Sequence, residues 1–134
     1  MKIPILRLGR VLLTSVQTDL TDTDALQFQD DLVRKVAALE AQGVAIDITA
    51  LDVVDSFMAR VLNDTTSMVR LLGAEVVLCG IQPYVAMTLI EMGRSLIAAD
   101  CAFNLEQGLK ILESRIAGRG DAVLDEGEDD VLLR

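Results

Sequence analysis

This chain has no histidine and no tryptophan, and its aromatic residues are limited to three Phe and one Tyr. The absence of histidine removes the usual general base, the Ser-His and Cys-His nucleophile pairs and the commonest metal ligand. The shortage of aromatic side chains removes the platforms on which bases usually stack. Enzymatic and nucleic-acid-binding functions are therefore disfavoured.

Positive charge is also scarce, because 12 Lys and Arg stand against 21 Asp and Glu and give a net charge of −9. The segment 118–134 is strongly acidic, and the rest of the chain is acidic as well. Nucleic acids and anionic membrane surfaces require clustered Lys and Arg. We expect neither as a partner, and a protein is the expected ligand.

No apolar run approaches the roughly 18 residues of a membrane-spanning helix. The first ten residues, MKIPILRLGR, have too short an apolar part and no small-residue cleavage site, so no signal peptide is predicted. The two cysteines, Cys79 and Cys101, lie far apart in the sequence, each among apolar or small residues. That setting is typical of buried, reduced thiols, and two isolated cysteines make no zinc cluster. These features predict a cytoplasmic protein.

Strand-like and helix-like segments alternate along the chain, which predicts a single α/β domain with right-handed connections. We expect a mostly parallel or mixed sheet of about five strands with about four helices. Pro4 indicates that the first strand lies at an edge of the sheet. The predicted strands cover residues 3–8, 10–16, 44–51, 74–80 and 99–103, and the predicted helices cover 25–42, 56–73, 83–93 and 105–116.

Local signals predict where the helices begin and end. Thr21 and Asp24 have the spacing of a capping box before the first helix, and Gly43 is expected to end that helix. Pro83 suits the first position of the third helix, and Gly93 its end. The domain is expected to occupy residues 1–117, and the Gly-rich, acidic residues 118–134 are expected to form a disordered tail.

The second helix is predicted to have two faces. Its apolar side chains fall within about 140° at 100° per residue, and its polar face is formed by Ser56, Arg60, Asn63 and Ser67. The apolar set comprises Phe57, Met58, Val61, Leu62, Met68, Val69 and Leu72. The third helix is apolar nearly all round, so it is either thoroughly buried or presents a hydrophobic surface to another subunit.

Loops that follow successive parallel strands gather at one end of a sheet. We therefore expect the loops 18–23, 51–56 and 81–83 to be neighbours and to contain any functional site. Asp52 and Asp55 lie in the second of these loops and could bind magnesium or act as an acid–base pair. No lysine or further polar residue nearby completes a mechanism, so the carboxylates are interpreted as turn formers and caps. No metal, no cofactor and no enzymatic activity are predicted.

Ser56 has two interpretations. Its hydroxyl can cap the second helix, which stabilises a helix by about 1 kcal/mol. It can also accept a phosphoryl group, whose negative charge interacts favourably with a helix N-terminus. Because Asp52 and Asp55 would repel that charge by a similar amount, the phosphate would hardly disturb the fold. It would change any binding surface formed there.

Residues 52–93, DVVDSFMARVLNDTTSMVRLLGAEVVLCGIQPYVAMTLIEMG, contain a DSF motif beginning at Asp55 and a GIQP motif beginning at Gly80. With these motifs as its most specific parts, the segment resembles the STAS (sulphate transporter and anti-sigma-factor antagonist) superfamily, and within it the small single-domain stressosome antagonists. The resemblance extends less distinctively over residues 1–116, and the acidic tail lies outside it.

The resemblance implies a scaffold protein that assembles with larger STAS-domain stress sensors and sequesters a serine/threonine switch kinase. It also implies that the kinase phosphorylates the serine matching Ser56, and that a phosphatase resets the assembly. Freely soluble anti-sigma-factor antagonists carry a small residue after that serine, whereas this chain has Phe57. That difference favours the stressosome type, with direct binding of an anti-sigma-factor kinase as the alternative.

A kinase-docking surface is predicted around Ser56, formed by Asp52, Asp55, Phe57, Arg60, Asn63 and Ser67. Arg60 is either a solvated helix arginine or the residue that pairs with the phosphate. Self-association, at least to a dimer, is expected from the apolar third helix. Two other hypotheses remain open: an enzyme acting through Asp52, Asp55 or Cys79, and a structural subunit in which Ser56 only caps the helix.

Overall fold

The computed structural model describes residues 2–92 and 99–128, in which a β-hairpin is followed by alternating helices and strands. Four helices and a five-stranded mixed sheet are present in these ranges, so the predicted α/β class is confirmed. The strands are β1 (Ile5–Leu8), β2 (Val11–Ser15), β3 (Gly43–Asp47), β4 (Glu75–Cys79) and β5 (Asp100–Ala102). The helices are α1 (Asp22–Leu39), α2 (Ser56–Leu71), α3 (Pro83–Glu91) and α4 (Leu105–Glu128).

The strands are arranged in sequence order, β1-β2-β3-β4-β5. β1 and β2 are antiparallel, with Leu8 opposite Val11 across a turn at Gly9, and the remaining pairs are parallel. The predicted edge position of the first strand is confirmed, and Pro4 lies just before it. The carboxyl ends of β2, β3 and β4 therefore meet at one end of the sheet.

The two faces of the sheet are covered by different helices. On one face, Leu12, Ile46 and Leu78 pack with buried side chains of α1, α2 and α3. On the other face, Ala45, Val77 and Cys79 pack against Leu112 of α4. The alternation of side chains along each strand separates the two layers, and the apolar runs in β3 and β4 reflect burial on both faces.

The first helix begins as predicted but ends differently. Thr21 and Asp24 form a reciprocal capping box, with the Asp24 amide donating to the Thr21 hydroxyl over 3.0 Å. At the other end Glu40, not Gly43, takes the left-handed conformation, with a φ of 50°. Gly43 begins β3, and a side chain there would meet Leu112 and Ile116 at 3.2 Å. The expectation for Gly43 was wrong because this residue belongs to β3 and packs closely against α4 instead of forming the turn after α1.

The second helix is capped by Asp55 and not by Ser56. Asp55 has an extended backbone, and its Oδ1 accepts a hydrogen bond from the Met58 amide over 2.8 Å. Ser56 is the first helical residue. The interpretation of Ser56 as the helix cap is therefore wrong, because the adjacent aspartate already satisfies the free amide.

The buried face of α2 is rotated from the predicted one. Met68 and Leu72 were expected to be buried, but they are 39% and 48% exposed. Thr65 and Thr66 are fully buried instead. The Thr65 hydroxyl donates to the Val61 carbonyl over 2.6 Å, which satisfies the polar group within the helix. Sequence patterning counted threonine as polar and so misplaced the boundary of the face.

The third helix presents part of its apolar surface to solvent. Val85 and Leu89 are buried, whereas Tyr84, Met87 and Ile90 are 60%, 58% and 73% exposed. Of the two alternatives for this helix, the structure favours the exposed hydrophobic surface. The predicted stop at Gly93 lies outside the described residues.

The fourth helix continues beyond the predicted one, which ended at residue 116. Leu112 is buried, and Leu105, Leu109 and Ile116 are half-buried on the side that packs against the sheet. The proposed boundary between residues 117 and 118 falls within α4, which ends at Glu128. The division into a domain and a disordered tail stays a prediction, and residues 129–134 lie outside the described ranges.

The two cysteines occupy different environments. Cys79 is buried, and burial, followed by the nearby Asp47 carboxylate, raises the pKa of its thiol to about 11. Cys101 is exposed because it lies on the short edge strand β5, so the expectation of two buried thiols was wrong for this residue. Desolvation of the sulfur atom, followed by the charge of the neighbouring Asp100 carboxylate, raises the pKa of the Cys101 thiol as well.

The assignment of the α2 cap predicts unequal effects of two neighbouring substitutions. Asp55→Ala is expected to lower the free energy of unfolding by about 1 kcal/mol, because it removes a cap. Ser56→Ala is the matched control and is expected to change it by less than about 0.5 kcal/mol. Urea denaturation followed by circular dichroism measures both values. An equal or larger loss for Ser56→Ala would contradict the assignment.

The different burial of the two thiols predicts selective labelling. A thiol reagent applied to the native protein at alkaline pH is expected to modify Cys101 and to leave Cys79 unmodified. The labelling rate at Cys101 should keep rising at pH values where an ordinary cysteine is already ionised. The reason is that the raised pKa of Cys101 makes its thiolate form at a higher pH. Both thiols should react after denaturation. Peptide mapping identifies the labelled residue, and rapid native labelling of Cys79 would contradict this prediction.

Candidate functional site

Three loops meet at the carboxyl end of the parallel strands. The loops before α1 and α2 line one groove of about 340 Å³. The loop before α3 joins them, since Gln82 Nε2 donates to the Thr49 carbonyl over 2.6 Å. The prediction that these loops are neighbours is confirmed. The groove is lined by Gln17, Thr18, Asp19, Leu20, Asp22, Leu51, Asp52, Val53, Asp55 and Met58.

Short-range contacts fix the path of the chain before α2. Asp47 Oδ1 accepts hydrogen bonds from the Thr49 amide and hydroxyl at 3.0 and 2.6 Å. Leu51 and Val54 are buried and anchor the following loop to the core. Gly80 has a φ of +77°, and a side chain at this position would collide with Thr49. The loops before α2 and α3 are thereby held against each other.

This anchoring leaves the Ser56 side chain at the surface. Ser56 is exposed and occupies the first turn of α2. Within the described part of the chain its hydroxyl makes no side-chain hydrogen bond, because the Asp55 carboxylate occupies the capping position. The predicted phosphoacceptor hydroxyl is accordingly accessible and is not needed to hold the helix.

The surroundings of Ser56 are acidic. Asp19, Asp22, Asp52 and Asp55 all contribute to the groove beside it. In residues 2–92 and 99–128, no group of three or more Asp, Glu or Cys side chains is arranged to hold a metal ion. The described geometry thus offers no metal centre, and a phosphate on Ser56 would add its charge to an already negative region.

The other predicted docking residues follow Ser56 along the outer face of α2. Arg60 is exposed, and Asn63 and Ser67 are half-buried. Together with Ser56 they lie within an arc of about 60° at 100° per residue. Phe57 is half-buried beside this arc. Arg60 makes no ion pair with another described residue, so it is free to interact with a partner or with a phosphate.

Sequence patterning missed two exposed apolar residues at this end of the sheet. Val53 is 66% exposed between Asp52 and the buried Val54, and Tyr84 is 60% exposed at the beginning of α3. The sequence did contain a signal for the exposure of Val53, namely its position next to Val54. Two adjacent valines in a loop rarely both point inward. Tyr84 is exposed because Val85 and Leu89 are buried and so fix the rotation of α3 about its axis.

A model of the STAS domain matches residues 2–97. The RsbT co-antagonist protein RsbRA of Bacillus subtilis is 33% identical over 90 residues, which are 66% of this chain and 33% of that protein. The chain therefore spans about a third of the length of this relative.

Two solved structures are similar over nearly their whole length. A serine-to-glutamate variant of RsbS from Moorella thermoacetica has a TM-score of 0.77 and 38% identity, covering 84% of this chain and 95% of that one. A chain from a study of the molecular architecture of the stressosome, described there as a signal integration and transduction hub, has a TM-score of 0.75 and 40% identity. It covers 83% of this chain and 96% of that one.

A more distant structure supports the fold alone. The phosphorylated form of the Bacillus cell fate determinant SpoIIAA has a TM-score of 0.61 at 11% identity, covering 81% of this chain and 96% of that one. Separately, no helix in the described ranges is long and apolar enough to cross a membrane.

The match over residues 2–97 and the shared strand and helix order lead to one conclusion: this chain belongs to the STAS domain family.

Proposed function

We propose that this chain is a non-catalytic scaffold subunit of a cytoplasmic stressosome, which holds a serine/threonine switch kinase and releases it when Ser56 is phosphorylated. The similarity to RsbS and to the stressosome chain, which extends over 95% and 96% of those chains, supports this assignment. The name of RsbRA describes it as a co-antagonist of RsbT. For this chain we infer the same general role of antagonising a partner by binding it.

One observation carries the proposal: the Ser56 hydroxyl is exposed and uncommitted at the beginning of α2. Because the Asp55 carboxylate caps the helix, modification of Ser56 breaks no hydrogen bond described in the fold. A kinase can therefore reach the hydroxyl without unfolding the helix. A serine that served as the cap would lose its structural role on phosphorylation.

The energetic effect of the phosphate on the fold is small. A negative charge at a helix N-terminus gains roughly 0.3–1 kcal/mol at an exposed position, and repulsion from Asp52 and Asp55 opposes this gain. The phosphate nevertheless adds about two negative charges to the surface. The modification thus changes binding while the domain stays folded.

The kinase is proposed to dock on Ser56, Asp52, Asp55, Phe57, Arg60, Asn63 and Ser67. Exposed Val53 adds an apolar contact to this surface. Phosphate would expel the kinase because a doubly charged group must be desolvated next to two carboxylates. A tenfold loss of affinity requires only about 1.4 kcal/mol. Arg60 is proposed to determine how strongly the phosphate acts, since pairing with it would reduce the repulsion.

The same proposal includes assembly with larger STAS-domain stress sensors and resetting by a phosphatase. The exposed side chains of α3, Tyr84, Met87 and Ile90, offer an apolar surface for the sensors. Ser56 lies at the surface and is accessible to a phosphatase as well as to a kinase. The acidic body of the chain agrees with protein partners rather than nucleic acid or membranes.

Substitutions at Ser56 are expected to separate binding from modification. Ser56→Asp should weaken binding of the switch kinase by about tenfold, which corresponds to about 1.4 kcal/mol. Ser56→Ala should bind the kinase as the unmodified protein does. Isothermal titration or surface plasmon resonance with the purified kinase gives the dissociation constants. Ser114→Asp is the control, because Ser114 is exposed on α4, on the other face of the sheet. Equal affinities for Ser56→Asp and Ser56→Ala would reject the proposal.

Incubation with the switch kinase and Mg-ATP is expected to add one phosphate to the wild-type chain, at Ser56. The Ser56→Ala variant should remain unmodified under the same conditions. Intact-mass measurement followed by peptide mapping identifies the residue. Phosphorylation only at another serine or threonine would assign the switch elsewhere. Turnover of a small molecule by the purified chain would instead support an enzyme.

A further inference from the structure

The residue that precedes α3 does not cap this helix with its side chain. Gln82 occupies the N-cap position, but its side chain makes no capping hydrogen bond. Ser, Thr, Asp and Asn are preferred at this position, because their short side chains reach the first free amides of the helix. Gln82 therefore departs from the local rule for beginning a helix. Such departures are expected where a residue serves a functional site.

The Gln82 side chain binds another loop instead. Its Nε2 atom donates to the Thr49 carbonyl over 2.6 Å, although the two residues lie 33 positions apart in the chain. Thr49 follows β3 and belongs to the loop that leads to α2. The third residue of the GIQP motif thus contacts the loop that precedes the DSF motif.

Thr49 is also held through its side chain. Its hydroxyl and its amide both donate to Asp47 Oδ1. On another side, a Cβ atom added to Gly80 would lie 3.0 Å from the Cβ atom of Thr49. The glycine and the glutamine of the GIQP motif therefore act on the same residue, the first by close approach and the second by a hydrogen bond.

Thr49 lies in a turn that directs the chain towards α2. The Leu51 amide donates to the Ile48 carbonyl over 3.0 Å, which closes this turn. Only residues 50–55 separate Thr49 from Ser56. A rotation of the turn would therefore move the proposed phosphoacceptor hydroxyl.

The contacts of this loop differ in what they constrain. Burial of Leu51 and Val54 keeps the loop on the core, but apolar burial is non-directional. The hydrogen bond from Gln82 has a preferred direction, and it links the turn to the beginning of α3. It therefore constrains the orientation of the loop, which burial alone does not determine.

We infer that Gln82 is a positioning residue for Ser56 and that it acts through the Thr49 carbonyl. The inference rests on the proposed function, in which Ser56 accepts the phosphate. Phosphoryl transfer depends on an acceptor oxygen that lies in line with the leaving group. A misplacement of about 1 Å can slow a reaction by up to about 100-fold. Gln82 thus affects the transfer step, while the docking residues on α2 are unchanged.

Two substitutions separate the hydrogen bond from the bulk of the side chain. Gln82→Ala removes both. Gln82→Met keeps a neutral, unbranched side chain of similar length but has no N–H donor. Gln27→Ala is the control, because Gln27 is also exposed and donates a hydrogen bond of 2.8 Å, to Asp31 within its own helix.

Amide hydrogen exchange of the full chain, followed by NMR, tests the positioning without a kinase. Both Gln82 variants are expected to speed exchange of the Thr49 and Leu51 amides several-fold, because the turn opens more readily. The Leu32 amide in α1 and the Gln27→Ala variant should show no change. Unchanged exchange at Thr49 and Leu51 would overturn the inference. A change in Gln82→Ala but not in Gln82→Met would also overturn it, as would an equal rise at Leu32.

Initial rates of Ser56 phosphorylation by the switch kinase with Mg-ATP test the consequence. Both Gln82 variants are expected to lower kcat by about tenfold and to leave KM nearly unchanged. Gln27→Ala should match the wild type. An unchanged kcat, or a loss that lies only in KM, would overturn the inference. No phosphorylation of Ser56 in the wild type would reject the proposed function, and hydrogen exchange would then decide by itself whether Gln82 positions the loop.

Discussion

The hydrogen bond from the Met58 amide to the Asp55 carboxylate determines how this STAS domain presents its serine. With that bond in place, α2 begins at Ser56 without using the serine hydroxyl. Asp55 thus has the structural task, and the adjacent Ser56 hydroxyl is left available for the phosphorylation that we propose. A phosphate there would change the charge at the beginning of α2 while the helix remains capped.

The parallel sheet also determines how the serine is presented. Because β2, β3 and β4 are parallel, the loops before α1, α2 and α3 meet at one end. Leu51 and Val54 anchor the loop before α2 through their buried side chains. Gln82 connects the loop before α3 to it by a hydrogen bond to the Thr49 carbonyl. The result is an acidic surface with a few apolar side chains. Such a surface is suited to binding a protein and has no histidine for acid–base catalysis.

Prediction from the sequence was most accurate where the signal was local and strong. The α/β class, the edge position of β1, the Thr21–Asp24 capping box and the meeting of the loops are all confirmed. Errors arose where packing between distant segments decided the outcome. Gly43 was expected to end a helix, but its contact with Leu112 and Ile116 of α4 is a tertiary constraint. Burial of Thr65 and Thr66 follows from the orientation of α2 on the sheet, which periodicity of apolar residues alone did not predict.

The sequence by itself determined the order of strands and helices, the lack of histidine chemistry and the segment that carries the STAS resemblance. These properties depend on residue identity and on spacing within a few turns. Only the tertiary structure decided that Thr65 and Thr66 are buried, that Val53 and Tyr84 are exposed, and that the β1 edge and the apolar side of α3 are left uncovered. Exposure depends on which distant segments pack together, and short stretches of sequence do not specify that packing.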